Sequence, residues 1–192
     1  MFTIKKITDL AHHAVRPVIQ AGDVVIDATA GNGLDTVFLA QQTGPGGHVY
    51  AFDIQEEALE STAAKLKESN LEKWVTLILD GHENMAEYVN GPVSVIMYNL
   101  GYLPGAGSRI STRFDTTLRS FQQALALLKP EGMISIVLYP GHRQGKLEKE
   151  GLLKVFEELP PSEYLVLHQC YLNKSSEPPE LVVIQKILFP GS

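Results

Sequence analysis

The 192-residue chain is short of several things, and each shortage excludes a class of protein. It holds one cysteine, Cys170, which rules out an intrachain disulfide framework and a cysteine zinc cluster, and no metal site is expected. No apolar run reaches the roughly 20 residues that span a bilayer. The first residues, Met1-Phe2-Thr3-Ile4-Lys5-Lys6, lack the apolar stretch of a secretory leader. A soluble, cytoplasmic protein with no membrane partner is therefore expected. Basic charge is scarce as well: 16 Lys and Arg face 22 Asp and Glu, a formal net charge of −6. That balance disfavours a protein that coats nucleic acid through a general positive field. Local basic clusters remain at Lys5, Lys6, His12, His13 and Arg16, at Arg109, Arg113 and Arg119, and at His142, Arg143, Lys146 and Lys149. Each serves equally well as an ordinary solvated face.

What is present suits one globular domain over residues 1–192, with 44% apolar and 20% charged residues. The chain is organised around Val24-Val25-Ile26-Asp27-Ala28-Thr29-Ala30-Gly31-Asn32-Gly33-Leu34-Asp35-Thr36. A β-branched run ends in an acid, two glycines turn the chain, and an apolar-periodic segment begins a helix. Here too an absence is informative. A dinucleotide-binding turn carries a third glycine three residues after Gly33, where Thr36 stands, and no lysine follows to make a phosphate-gripping loop. Asp27 followed by Gly31-Asn32-Gly33 resembles the first motif of the Rossmann-like class I methyltransferases, whose turn wraps S-adenosylmethionine (SAM). An ordinary glycine-rich βα turn is the alternative on these residues alone.

The following strands repeat the pattern. His48 to Asp53 reads as a strand ending in an acid about twenty residues past the glycines, the spacing at which a carboxylate takes ribose hydroxyls. Gln55 follows, placed to lie along the adenosine; a helix cap ahead of Glu56 is the plainer reading of Asp53. Trp74 to Leu79 is a third strand ending in Asp80-Gly81-His82. By resemblance to the same enzymes Asp80 meets the adenine amino group, with His82 close enough to stack on or bond the ring. A turn and a helix start are the alternatives for the two. The fourth strand, Val93 to Tyr98, runs into Asn99-Leu100-Gly101-Tyr102-Leu103-Pro104-Gly105, where amino-methylating enzymes of the class hold the acceptor amine. Leu100-Gly101 replaces the usual proline pair. An amide oxygen orients an amine, and Tyr102 offers a ring for a flat base to stack on.

Elsewhere the periodicity predicts a helix from Ile7 to Gln20, with Leu10, Ala14, Val15 and Val18 on one side and a boundary or kink at Pro17. Adjacent histidines on a helix cannot face the same way, so at most one of His12 and His13 points at a site. Helices are also predicted at Glu56 to Ser69, Asp115 to Leu128 and Gly145 to Leu159. Pro130-Glu131-Gly132 reads as a turn into a fifth strand, Met133 to Tyr139, and two last strands run from Tyr164 to Tyr171 and from Leu181 to Leu188. Cys170, inside one of these, is expected to be buried rather than nucleophilic.

His12-His13 with Val15, the segment from Val25 to Thr36, Asn99 to Gly105, and Tyr139-Pro140-Gly141-His142 together resemble the YtqB/MnmM family, long labelled rRNA methylases. The resemblance covers essentially the whole chain. It implies an α/β, Rossmann-like class I methyltransferase fold: a mainly parallel seven-stranded sheet, a C-terminal antiparallel strand pair, and helices on both faces. Residues 1–22 would form a helical segment on the substrate side. It further implies SAM-dependent methylation of 5-aminomethyl-2-thiouridine at the tRNA wobble position, a tRNA anticodon stem-loop as substrate, and a homodimer. On that reading Asp27, Thr29, Gly31, Asn32, Gly33, Asp35, Thr36, Asp53, Gln55, Asp80, His82 and Asn99 hold SAM. Asn99, Tyr102, Tyr139 and His13 serve the transfer. An rRNA or small-amine acceptor, and a SAM-binding module without turnover, are the rival expectations.

Overall fold

The central strands are apolar at successive rather than alternate positions, and such strands need cover on both faces. The computed structural model describes residues 6–101, 112–174 and 176–188, and places helices on either side of one sheet. In chain order the elements are α1 (Ile7–Val15), β1 (Val24–Asp27), α2 (Leu34–Thr43), β2 (His48–Asp53), α3 (Glu56–Ser69) and β3 (Val75–Leu79). They continue with α4 (Met85–Tyr88), β4 (Val93–Leu100), α5 (Phe114–Leu127), β5 (Leu128–Leu138), α6 (Arg143–Glu157), β6 (Tyr164–Gln169) and β7 (Glu180–Lys186).

The sheet has seven strands in the order β3-β2-β1-β4-β5-β7-β6. The first five are mutually parallel, and β7 runs antiparallel to both β5 and β6. The expected class is therefore the observed one. From β1 the chain builds outward through β2 and β3, then returns to lay β4 on the other side of β1. At such a reversal the connections leave in opposite directions, which opens a crevice at the carboxyl ends of β1 and β4.

Side-chain alternation divides the core in two. Ile26, Ile96, Tyr98, Ile134, Ile136, Val182 and Ile184 meet Met85, Phe121, Leu152 and Phe156, from α4, α5 and α6. Val25, Val49, Val95, Met97, Val137 and Val183 meet Ala11, Val15, Phe38, Leu39 and Leu66, from α1, α2 and α3. Each buried aliphatic or aromatic side chain contributes about 1.5–3 kcal/mol of transfer free energy.

Three boundaries differ from the sequence reading. Helix α1 stops at Val15 instead of running to Gln20: Arg16 still has helical dihedrals (φ −50°, ψ −46°), but Pro17 has no N–H to carry the ladder on, and the Val18 N–H turns to the Val15 carbonyl. Strand β4 continues through Asn99 to Leu100. Pro130-Glu131-Gly132 lies inside β5, where Glu131 has φ +63° and the pairing with β4 shifts register between Val93 and Val95. The edge strand β6 is exposed on both sides, with Leu165, Val166 and Leu167 at 59%, 40% and 54% exposure. Cys170, just past it, is exposed, against expectation: the edge strand has no helix over it.

Candidate active site

Alternation along parallel strands decides which residues share the crevice. Val25, Val49, Val95 and Val137 all face α1 and α2. Two residues on from each, or four for Val49 and Val95, come Asp27, Asp53, Asn99 and Tyr139. With a period of two they emerge at one end of the sheet on one side.

The turn after β1 is shaped by its glycines. Gly31 has φ +51° and Gly33 φ +76°. A Cβ on Gly33 would lie 2.9 Å from the Thr62 Cα and Oγ1, so both the backbone conformation and the packing of α3 against the turn require glycine there. The Gly31 N–H donates to Asp53 Oδ2 at 2.9 Å, and the Gln55 N–H donates to Asp53 Oδ1 at 3.0 Å. Asp53 thus ties the end of β2 to the turn, and each of its oxygens keeps a second lone pair. Ile54, next to it, and Leu79, its register partner on β3, are both 56% exposed beside this carboxylate. Asn32 sits exposed at the tip.

Beneath the turn Asp27 is fully buried. Thr36 Oγ1 donates to its Oδ2 at 2.6 Å and the Thr29 N–H to its Oδ1 at 3.1 Å. Burial, and then the neighbouring charge of Asp35, push its carboxyl up to about 7. Thr29 uses its hydroxyl to accept the Asn99 N–H at 2.7 Å, joining β1 to β4 at the crevice.

Asp35, in the first turn of α2, is buried and engaged from two directions. His12 Nε2 lies 2.6 Å from its Oδ1, and the Asn99 side-chain amide donates to its Oδ2. The His12 ring lies flat on Phe38, with centroids 3.9 Å apart and planes 4° apart. Asn99 Oδ1 is buried without a hydrogen-bond partner among the described residues. Tyr139 stands half-buried nearby, where a Cβ on Gly101 would come within 3.5 Å of its ring, and burial together with the Asp35 charge raises its hydroxyl above the usual range.

Other residues named from sequence lie differently. His13 is on the exposed side of α1, its Nδ1 2.7 Å from the Asp9 carbonyl oxygen, so His12 is the histidine that enters the crevice. Asp80 continues the phase of Ile78, toward α4, and accepts from the Gly81 N–H, Asn84 Nδ2 and the Tyr88 hydroxyl. His82 is buried under the turn with Nδ1 3.0 Å from the Ala28 carbonyl oxygen, and burial lowers its pKa. It supports the floor of the crevice instead of lining its mouth. Tyr102 lies outside the described residues. Sequence reasoning also missed Glu148, buried on α6, which accepts from Thr112 and Thr117 at 2.8 and 2.7 Å and ties α6 to the first turn of α5.

These residues fit SAM on their own geometry. Turn N–H groups at a helix start suit a carboxylate, Asp53 has lone pairs for hydroxyls, and three carboxylates (Asp27, Asp35 and Asp53) favour a cation. No group of metal-ligating side chains occurs among the described residues. None of their helices is long and apolar enough to cross a membrane.

The comparisons with known proteins converge on the same chemistry. The chain is 41% identical over 188 residues to the Arabidopsis thaliana protein named tRNA (mnm(5)s(2)U34)-methyltransferase, chloroplastic, covering 93% of this chain and 69% of that protein. A Clostridium thermocellum crystal structure, described as a "putative rRNA-methylase", superposes with TM-score 0.94 at 42% identity, covering 97% of this chain and all (100%) of that one. A Streptococcus mutans protein, described as "a putative methyltransferase" and solved in complex with SAH, gives TM-score 0.88 at 38% identity, covering 96% of this chain and 100% of that one. Residues 49–185 match the family described as "Putative rRNA methylase", and the chain belongs to that family.

Proposed function

We propose that the protein transfers the methyl group of SAM to the primary amine of 5-aminomethyl-2-thiouridine at the wobble position of tRNA. The reading is supported by likeness to the Arabidopsis thaliana enzyme over almost the whole chain. The observation that carries it is Asn99, whose buried amide oxygen awaits a donor at the end of β4. An amine supplies such a donor.

The sulfonium of SAM, when bound, supplies a methyl group activated for in-line displacement by a neutral nucleophile. In that exchange a C–N bond forms, a C–S bond breaks with its electron pair going to sulfur, and the amine nitrogen loses a proton. The chain's own part is to orient. Proximity and alignment alone are worth up to about 7–11 kcal/mol of barrier in well-oriented cases. Asn99 Oδ1 holds an N–H of the amine so that its lone pair is free to attack, and the Asp53 carboxylate fixes the turn that carries the donor. Tyr139 bounds the acceptor side. Asp80 and His82 act in this reading through the floor and the neighbouring helix rather than on the adenine.

The partner is the anticodon stem-loop, met through local basic groups such as Arg16 and Arg143. A cytoplasmic homodimer belongs to the same proposal, with the exposed apolar edge of β6 as the surface a second copy would cover. Mass spectrometry of tRNA nucleosides from a deletion strain tests the activity. 5-Aminomethyl-2-thiouridine should accumulate and its N-methyl product should vanish; unchanged tRNA with an altered rRNA nucleoside would overturn the assignment.

A further inference from the structure

Asn99 has two ends, and its environment treats them differently. Nδ2 donates to Asp35, while Oδ1 is buried without a partner among the described residues. An ionised carboxylate accepts hydrogen bonds and donates none, so Asp35 dictates which way the amide turns. Asp35 is in turn held: His12 Nε2 reaches its other oxygen at 2.6 Å. The His12 ring is fixed by its parallel stack on Phe38, a ring that also carries the Arg16 guanidinium, 5.1 Å from its centroid. The backbone at Asn99 is set independently by Thr29. Main chain and side chain of one residue are therefore located by separate bonds, one from the turn after β1 and one from α2, whose carboxylate α1 holds in turn.

We propose that His12 and Asp35 are positioning residues for the transfer: His12 locks Asp35, and Asp35 holds the Asn99 amide so that Oδ1, and never Nδ2, faces the amine nucleophile. This deepens the reading of an amine acceptor and rests on it. The arrangement matters because a reversed amide would present N–H groups to the incoming N–H of the amine. Two donors would then meet, and the lone pair would be turned from its line of attack. An amide free to rotate spends part of its time in that state. With Asp35 in place the wrong orientation also leaves a buried carboxylate oxygen without its donor. The helix α1 thus contributes chemistry to a site otherwise built by the sheet.

The test uses the intact protein and a synthetic anticodon stem-loop bearing 5-aminomethyl-2-thiouridine. His12→Phe keeps a flat ring on Phe38 but loses the donor, and should lower kcat by about 10²-fold, the scale of a small misplacement, with KM for SAM and stem-loop within about threefold. His12→Gln restores an N–H near the position of Nε2 and should recover at least about tenfold of that loss, as expected for a restored orienting contact. A second measurement needs no turnover. In the free protein the Asn99 side-chain NH2 should be protected from solvent exchange in nuclear magnetic resonance spectra, and Asp35→Ala should abolish the protection. Equal losses in His12→Phe and His12→Gln, or rapid exchange of the Asn99 amide in active wild-type enzyme, would overturn the positioning role. Absence of methyl transfer by the wild-type protein, with the amide still protected, would instead overturn the amine substrate and the facing of Oδ1 toward it.

Discussion

Thr29 Oγ1 accepts the backbone N–H of Asn99 at 2.7 Å, so the residue two positions past β1 sets the height at which β4 delivers its amide. Thr29→Val removes the acceptor without changing shape. Leaving the N–H unsatisfied should cost about 1–3 kcal/mol of stability. Turnover should fall by more than SAM affinity does, while Thr29→Ser should restore both. Calorimetric titration with SAM and denaturant unfolding, run on the same preparations, separate the two effects.

Asp53 is expected to dominate SAM affinity, and Asn99 to have little part in it. Charge-assisted bonds to hydroxyls are worth about 1.5–3 kcal/mol, so Asp53→Ala should weaken SAM binding about 10- to 100-fold. Asn99→Ala, whose backbone bond to Thr29 is untouched, should bind SAM normally and fail in turnover. Equal SAM affinity in Asp53→Ala and wild type would refute the ribose assignment.

Asp27 makes donor binding depend on pH. Its carboxyl is pushed up to about 7 by burial first and by the Asp35 charge second. An unfolded aspartate titrates near 3.8, so protonated Asp27 stabilises the fold below that pH, and the contribution is lost as pH rises through about 7. A cationic ligand favours the ionised form, so SAM binding near pH 7 should release part of a proton and tighten as pH rises from about 6 to 8. Titrations in two buffers of different ionisation enthalpy count the proton. Asp27→Asn should show no such release, and neutral SAH should show much less of it than SAM does.

His82 should set an acid limit on stability. Its pKa is lowered by burial, so the folded protein keeps the imidazole neutral where the unfolded chain becomes charged. The stabilisation is complete above the unfolded value of 6.5 and declines as pH falls toward the folded value. The slope is about 1.4 kcal/mol per pH unit for a single group. His82→Asn, which places an amide donor near the position of Nδ1, should flatten that slope in unfolding curves recorded between about pH 7 and 5.

Much of this was legible in the chain. Asp27, Asp53 and Asn99 could be placed because each ends a β-branched run, and parallel strands bring such endings to one edge. His12 and His13 could not be separated. The stripe read from sequence, Leu10, Ala14, Val15 and Val18, centres roughly 120–140° from either histidine on a helical wheel. The buried stripe is Ile7, Ala11 and Val15, which turns the helix so that His12 lies roughly 100° from its centre and His13 about 160°. Only tertiary packing against the sheet chose between them. The partners of Asp80 were not legible for a related reason: Asn84 and Tyr88 come from the cap and the end of a short helix whose return to the strand end has no local signature. The segment Pro130-Glu131-Gly132 carries every sign of a turn, and the pairing with β4 passes over it, from Leu128 to Met133, leaving it as an irregularity within one strand.

The reversal of strand order between β1 and β4 has a bearing on when the protein acquires its activity. Asp27 and Asn99 meet only after the chain has completed two outward strands and returned. No nascent fragment ending before Asn99 contains even the outline of the reactive centre. Chemical competence is thus tied to the most distant pairing in the parallel sheet, and a chain cut short before Asn99 would leave its substrate untouched.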